Sequence, residues 1–368
     1  MAVGCAVAVV AAAVPFALIS RAHSPGAAPS PTTAHSPRPT GSPQTSKAPG
    51  KAGSAYTFTA VNLPAAYHGT LSSIAFSPDG ATLAIAGGAG AGEACLWNIA
   101  THRCRANFPV AHSIAFSPNG TTLAVTDSDS GTAGHGSVRL WDVATGKLTT
   151  TLTDLQSQGA YSTAFSANGK TLVVGDANDS IYLWDVATRT QTTRIVNNDQ
   201  AGFTAVACSP DGATMAAGDI DGTTHLVNIV TKQSMFTVTT STKTTTGPHP
   251  VMVNSVAFSH DGASLAIGDI NGSIVLINVE TKSVITTVYD PGSKGVESVA
   301  FSPDDAVLAV ADANGSTYLW NVADRKIIAA LTDPGGKGVT SVAFSPNGKI
   351  LATGDENGSA DLWYGDFR

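Results

Sequence analysis

Oxygen-bearing side chains recur at one spacing in Asp176-Ala177-Asn178-Asp179, Asp219-Ile220-Asp221-Gly222, Asp269-Ile270-Asn271-Gly272, Asp312-Ala313-Asn314-Gly315 and Asp355-Glu356-Asn357-Gly358. Carboxylate and amide oxygens at alternate positions resemble the opening of a calcium loop. Such a loop needs a later acidic ligand and flanking helices, and no copy supplies them, so the sequence assigns these turns no metal and implies no cofactor. Asp and Asn in such places instead form tight turns by accepting nearby backbone amides. Repeated on one face, Asp176, Asp179, Asp219, Asp221, Asp269, Asp312, Asp355 and Glu356, with Asp127 and Asp129, would form an acidic rim. Such a rim can dock a basic or cationic protein partner by charge, or serve solubility alone.

Hydrolytic chemistry finds little support. His68, His112 and His249 lie just before apolar runs, while His102, His135, His225 and His260 are scattered without a repeated carboxylate or nucleophile. There is no Gly-Xaa-Ser-Xaa-Gly, no phosphate-cradling loop and no paired-cysteine zinc spacing. Lys294 and Lys337 sit in repeat-derived glycine turns. The expectation is a protein without catalytic residues. The rival is a hydrolase or lyase whose site is assembled from distant loops.

The elements that position these turns repeat seven times. Phe76-Ser77-Pro78-Asp79-Gly80 returns in variant form at Phe116, Phe165, Cys208, Phe258, Phe301 and Phe344, spaced by 40, 49, 43, 50, 43 and 43 residues. About 20 residues after each comes Leu96-Trp97, Leu140-Trp141, Leu183-Trp184, Leu226-Val227, Leu276-Ile277, Leu319-Trp320 or Leu362-Trp363. Between them lie short, partly alternating runs bounded by Gly, Asn, Asp or Pro, which read as strands. Four antiparallel strands per repeat predict an all-β, seven-bladed propeller. The two long intervals mark insertions at residues 128–136 and 237–250. Propeller topology opens both on one face.

These units resemble WD repeats, with Trp141-Asp142 and Trp184-Asp185 literal and Trp97-Asn98 and Trp320-Asn321 near matches. The resemblance covers residues 55–368 and makes Trp97, Trp141, Trp184, Trp320 and Trp363 structural residues of the blades. Blade 7 ends after its third strand, while residues 56–61 read as an unattached strand. The resemblance implies that this N-terminal strand closes the ring on the last blade, removing free sheet edges. It also implies a His, Ser or Thr, Asp and Trp tetrad, from which the chain departs. Asn178, Asn271, Asn314 and Asn357 occupy the tetrad Asp position, with Asp221 the exception, and most matching His residues are missing. Packing, with small Ala and Gly residues, must then hold the blades. Val227 and Ile277 replace the Trp in blades 4 and 5, which are expected to be softer.

The head differs in composition. Residues 1–20 are an uncharged, mostly apolar run long enough to span a bilayer, read as an anchor, with a cleaved signal peptide as the alternative. Residues 21–54 hold seven prolines among Ser, Thr, Ala and Gly and read as a disordered tether. Of 20 cations, only Arg21, Arg38, Lys47 and Lys51 precede residue 55, so 16 face all 27 acids beyond it, a net −11. That balance argues against nucleic-acid binding. Cys95 and Cys104 fall on neighbouring strands, so a disulfide is conceivable in an oxidising compartment, but a hairpin centred near Ala100 and Thr101 does not place them opposite, which disfavours a bridge.

The sequence therefore predicts a monomeric, non-catalytic interaction, scaffold or sensor module with a protein or peptide partner. It is expected to be membrane-anchored, with the propeller outside the cytoplasm; secreted and cytoplasmic scaffolds are the alternatives. Its make-up resembles the propeller ends of bacterial membrane Ser/Thr kinases, although no kinase motif is present.

Overall fold

The computed structural model describes residues 59–63, 69–87, 94–108, 111–127, 136–153, 156–197, 201–240, 251–289, 292–332 and 337–367. Each repeat begins with a turn whose chemistry is visible in its atoms. The Gly80 amide donates to the Ser77 carbonyl at 2.8 Å, and the Asp79 carboxylate accepts the Ala81 amide at 3.0 Å. Gly80 has φ +70°, a left-handed conformation that glycine adopts without a Cβ penalty. In blade 6 Asp305 holds that position at φ 62°. Its carboxylate accepts the His260 and Asp261 amides of blade 5 at 2.7 and 2.9 Å, so this departure from the repeat clamps two blades.

The described strands form seven four-stranded antiparallel sheets. Blade 1, for example, runs Leu71–Phe76, Thr82–Gly87, Ala94–Asn98 and Arg103–Phe108. First strands neighbour one another around the ring and form its inner wall. Fourth strands alternate exposed and partly buried residues, as in Thr190–Val196, because one face meets solvent. The fourth strands of blades 2 and 5 run Lys147–Thr153 and Ser283–Tyr289. The last sheet takes its outer strand from the N-terminal side. Thr59–Leu63 pairs antiparallel with Ala360–Tyr364, from Thr59 opposite Tyr364 to Leu63 opposite Ala360. The ring closes as the sequence implies, with a strand described to Leu63, past the expected end at residue 61; residues 56–58 lie outside the described residues.

Hydrophobic clusters lie in seams between blades. One joins Leu71, Ile74 and Trp97 of blade 1 to Ile350, Ala352 and Leu362 of blade 7. Trp363 donates its indole N–H to Thr353 at 3.0 Å, the one Trp–Thr pair of tetrad type among the described residues. At the corresponding position blades 1, 2 and 6 carry Ile85, Val125 and Val310, so the Trp97, Trp141 and Trp320 N–H groups lack that partner. Packing replaces the tetrad there. Gly218 makes this close packing possible, since a Cβ would lie 2.3 Å from a Val253 methyl and 2.7 Å from its Cβ. Gly218→Ala is expected to cost about 1–3 kcal/mol through overpacking, read as an earlier urea midpoint with an unchanged slope.

A belt of serines also ties the first strands together. Ser73 accepts the Ile114 amide of the next blade, and Ser113, Ser162, Ser255, Ser298 and Ser341 repeat this for Thr163, Val206, Val299, Val342 and Ile74. Blade 4 has Ala205 at that position, so the belt is broken between blades 4 and 5.

Two expectations need correction. Cys95 and Cys104 form a disulfide. A β-bulge between Cys95 and Trp97 shifts the register, and the Cα atoms lie 5.9 Å apart, within bridging range. A uniform hairpin register would not bring them together. Residues 237–239, assigned to an insertion, belong to the strand Ser234–Thr239. Residues 128–135 and 241–250, which hold most of both insertions, lie outside the described residues, as do the proposed anchor and tether. Among the described residues no helix is long and apolar enough to cross a membrane.

Candidate interaction face at the channel mouth

The turns between second and third strands lie beside the starts of the first strands. Ala177, Ile220, Ala313 and Glu356 each donate a backbone amide to the glycine carbonyl just before a first strand. Both sets therefore share a face. The leading aspartates do not project from it. Asp176 and Asp312 are 0 % exposed, and Asp219, Asp269 and Asp355 are also buried. Asp312 accepts the Lys294 and Asn314 amides at 3.1 and 2.7 Å and the Ser293 hydroxyl, joining its turn to the preceding interblade connection. Asp176 does the same with Gln158, Asn178 and Ser157.

These five carboxylates thus leave the acidic rim. Amide donors inside the turn need an internal acceptor, and the first Asp supplies it. Burial pushes the Asp176 and Asp269 carboxyls above the usual range, against the lowering effect of their hydrogen bonds. Asp221 and Glu356 remain exposed and Asp179 is half-buried. Asp127 ends the strand Thr122–Asp127, and Asp129 lies outside the described residues.

Sequence reasoning missed a second ring. In blades 1 and 3 to 7 the first strand carries a β-bulge at its second residue, Ser72, Tyr161, Thr204, Asn254, Glu297 or Thr340. A bulge re-aims its side chain and is common at barrel rims and beside sites. Ser72, Thr204, Asn254 and Thr340 each donate to the first-position carbonyl of the next blade, at Ala111, Val253, Val296 and Leu71. The ring thus lines the channel mouth. His112 takes this place in blade 2 and packs edge-on to Tyr161 at 5.7 Å.

Glu297 is the acidic member. Burial raises its carboxyl to about 7, and the negative charges of Glu356 and Asp312 add to the shift. A repeat-by-repeat comparison of second residues would have singled it out, since the other blades have neutral groups or His there. A folded-state value above the unfolded one means that the contribution to stability is full below the ordinary value of 4.5 and is lost as pH rises through about 7. Thermal stability should fall between pH 5 and 8 by an amount equivalent to about 1–3 kcal/mol, discounted for partial exposure, and Glu297→Gln should flatten that slope. Parallel melting curves for the two proteins across this range would contradict the assignment.

The other described histidines each make a contact within the fold. His225 meets Asp219 at 3.0 Å, His260 meets Asp305 at 3.0 Å, and His102 packs edge-on to Trp97. His68, His135 and His249 lie outside the described residues. Among the described residues no group of three or more His, Cys, Asp or Glu could hold a metal ion. The arrangement can present a protonatable carboxyl and exposed acids to a partner.

Residues 113–367, from the first strand of blade 2 to the end of blade 7, match the family model described as the IFT122 first beta-propeller. No curated protein matches the chain.

Proposed function

Because the chain belongs to the IFT122 first beta-propeller family, we propose that it is a non-catalytic protein–protein interaction module that uses its channel-mouth face. The observation that carries this reading is the combination of a rigid ring with departures gathered on one face. The bulged residues, exposed Asp221 and Glu356, and the described strand ends that both insertions connect lie there. The partner is a basic protein or peptide, drawn by a domain with a net charge of −11.

The compartment in this proposal is extracytoplasmic, with residues 1–20 as anchor and 21–54 as tether. It is supported by the Cys95–Cys104 bridge, since disulfides persist in oxidising compartments. Similarity in make-up to the sensor propellers of bacterial membrane kinases is part of the same proposal. Protease added to intact cells should reach the propeller; complete protection would contradict this placement.

One observation favours the enzymatic rival, a hydrolase or lyase at the channel mouth. Glu297 has the raised carboxyl that a general acid requires, but its identified charged neighbours are two more acids. Affinity capture with the full chain, compared with a version whose residues 128–135 and 241–250 are shortened, tests the interaction reading. Loss of specific partners from the shortened chain is expected. Identical captured sets would remove the insertions from the face.

A further inference from the structure

The seam between blades 3 and 4 departs from the repeat at two places at once. In blades 3 and 6 the third strand carries Tyr182-Leu183-Trp184 and Tyr318-Leu319-Trp320. Both aromatics of each pair face the preceding blade. Tyr182 and Trp184 cluster with Val138, Leu140 and Leu152 of blade 2, and Trp320 and Tyr318 with Ile274 and Leu276 of blade 5. In blade 4 the same positions are His225 and Val227, and Val227 packs toward Ile181 and Leu183 of blade 3. Two large rings have been shortened on one strand face.

The space they would fill is open. A cavity of about 250 Å³ lies between the blades, lined by Ile181, Ile195, Phe203, His225 and Val227 among others. At the seam of blades 5 and 6, where Trp320 is present, about 10 Å³ remains beside it. Where Ile277 replaces Trp in blade 5, Phe236 of blade 4 packs into the cluster instead. The volume at blades 3 and 4 is therefore traceable to the missing aromatics.

The socket also has an oriented polar group. His225 Nε2 lies 3.0 Å from Asp219 Oδ2, a buried carboxylate that Asn197 also contacts at 3.3 Å. A carboxylate acceptor fixes the ring proton on Nε2, which leaves Nδ1 of the neutral imidazole as an acceptor. Phe203 holds the ring edge-on at 5.6 Å. At the cavity, Val196 is 50 % exposed, giving an apolar edge that a side chain arriving from another polypeptide can cover.

We propose that this seam is a socket for an indole ring, presented as a tryptophan side chain of a partner polypeptide, with the indole N–H donating to His225 Nδ1. The molecule itself supplies the template, since five of its other blades carry an indole at this strand position, Trp97, Trp141, Trp184, Trp320 and Trp363. A single ring system suits the volume, which is below the usual range for drug-sized ligands. The socket lies between blades and uses none of the exposed acids of the channel-mouth face, so either site can fail without the other.

The test is an NMR titration of the full chain with N-acetyl-tryptophanamide, its 1-methyl analogue and free indole. Saturable shifts confined to the seam are expected, with a dissociation constant on the order of 1 mM for the amide, and binding at least about fivefold weaker after methylation of the ring nitrogen. Val227→Trp should fill the socket from within, raise the melting temperature and abolish binding. His225→Phe keeps a ring but lacks the acceptor, and should bind the methylated and unmethylated amides alike; it keeps the test decisive if Val227→Trp does not fold. Binding that survives Val227→Trp, equal binding of both amides by the unmodified chain, or the absence of seam shifts would overturn the proposal. Free indole binding more than about tenfold tighter than the amide would overturn the polypeptide assignment in favour of a small metabolite.

Discussion

Deleting residues 51–63 is expected to lower the melting temperature by on the order of 10 °C and to start aggregation earlier in the scan. The segment contains Thr59–Leu63, the outer strand of the last blade. Its removal exposes the ladder edge of Ala360–Tyr364, whose buried Leu362 and Trp363 belong to the seams with blades 1 and 6 respectively. Losing about five ladder hydrogen bonds at about 1 kcal/mol each gives roughly 5 kcal/mol before any loss of packing. For a domain of this size each kcal/mol moves the midpoint by about 2 °C. The freed edge can also pair with another chain, which explains the expected aggregation. An unchanged melt would mean that the ring does not depend on this closure.

Asp312→Ala should produce the second largest loss, about 2–4 kcal/mol, while Glu356→Ala should stay within about 0.5 kcal/mol. The acids sit in corresponding turns of adjacent blades, yet one carboxylate is buried on two amides and a hydroxyl and the other is exposed. Removing Asp312 strands those donors. It also removes one of the two negative charges that raise Glu297, so the pH at which stability declines should move down in Asp312→Ala. Urea unfolding across pH measures both effects together. Equal losses for the two variants would return the leading aspartates to the surface.

Legibility followed the physics of repetition. The Ser-Pro-Asp-Gly turns and the Leu-Trp positions recur in one phase, and a β blade has few other ways to use them, so the seven sheets could be read directly, and their closure followed from the WD-repeat resemblance. Burial of the Asp-Xaa-Asn-Gly carboxylates could not. An Asp that caps a turn and an Asp that projects from it have the same sequence; the difference lies in whether the preceding interblade connection, as at Ser293 or Ser157, folds over the carboxylate. The disulfide was hidden because a one-residue bulge alters which residues face each other while leaving the strand pattern intact. Glu297 was overlooked because a single acid in an apolar strand has no motif. Its meaning comes from the bulge that places it in the ring, and from its charged neighbours in the turns of blades 6 and 7.

The channel-mouth face is tested most directly by the affinity of a purified captured partner for the intact chain and for a triple variant, Asp179→Asn, Asp221→Asn and Glu356→Gln, at low and high salt. These substitutions remove charge from exposed or half-buried positions while leaving the buried turn carboxylates in place. The account predicts salt-sensitive binding by the intact chain, and weak binding by the variant even at low salt, with both proteins melting together. Equal affinity of the two proteins at every salt concentration would contradict it.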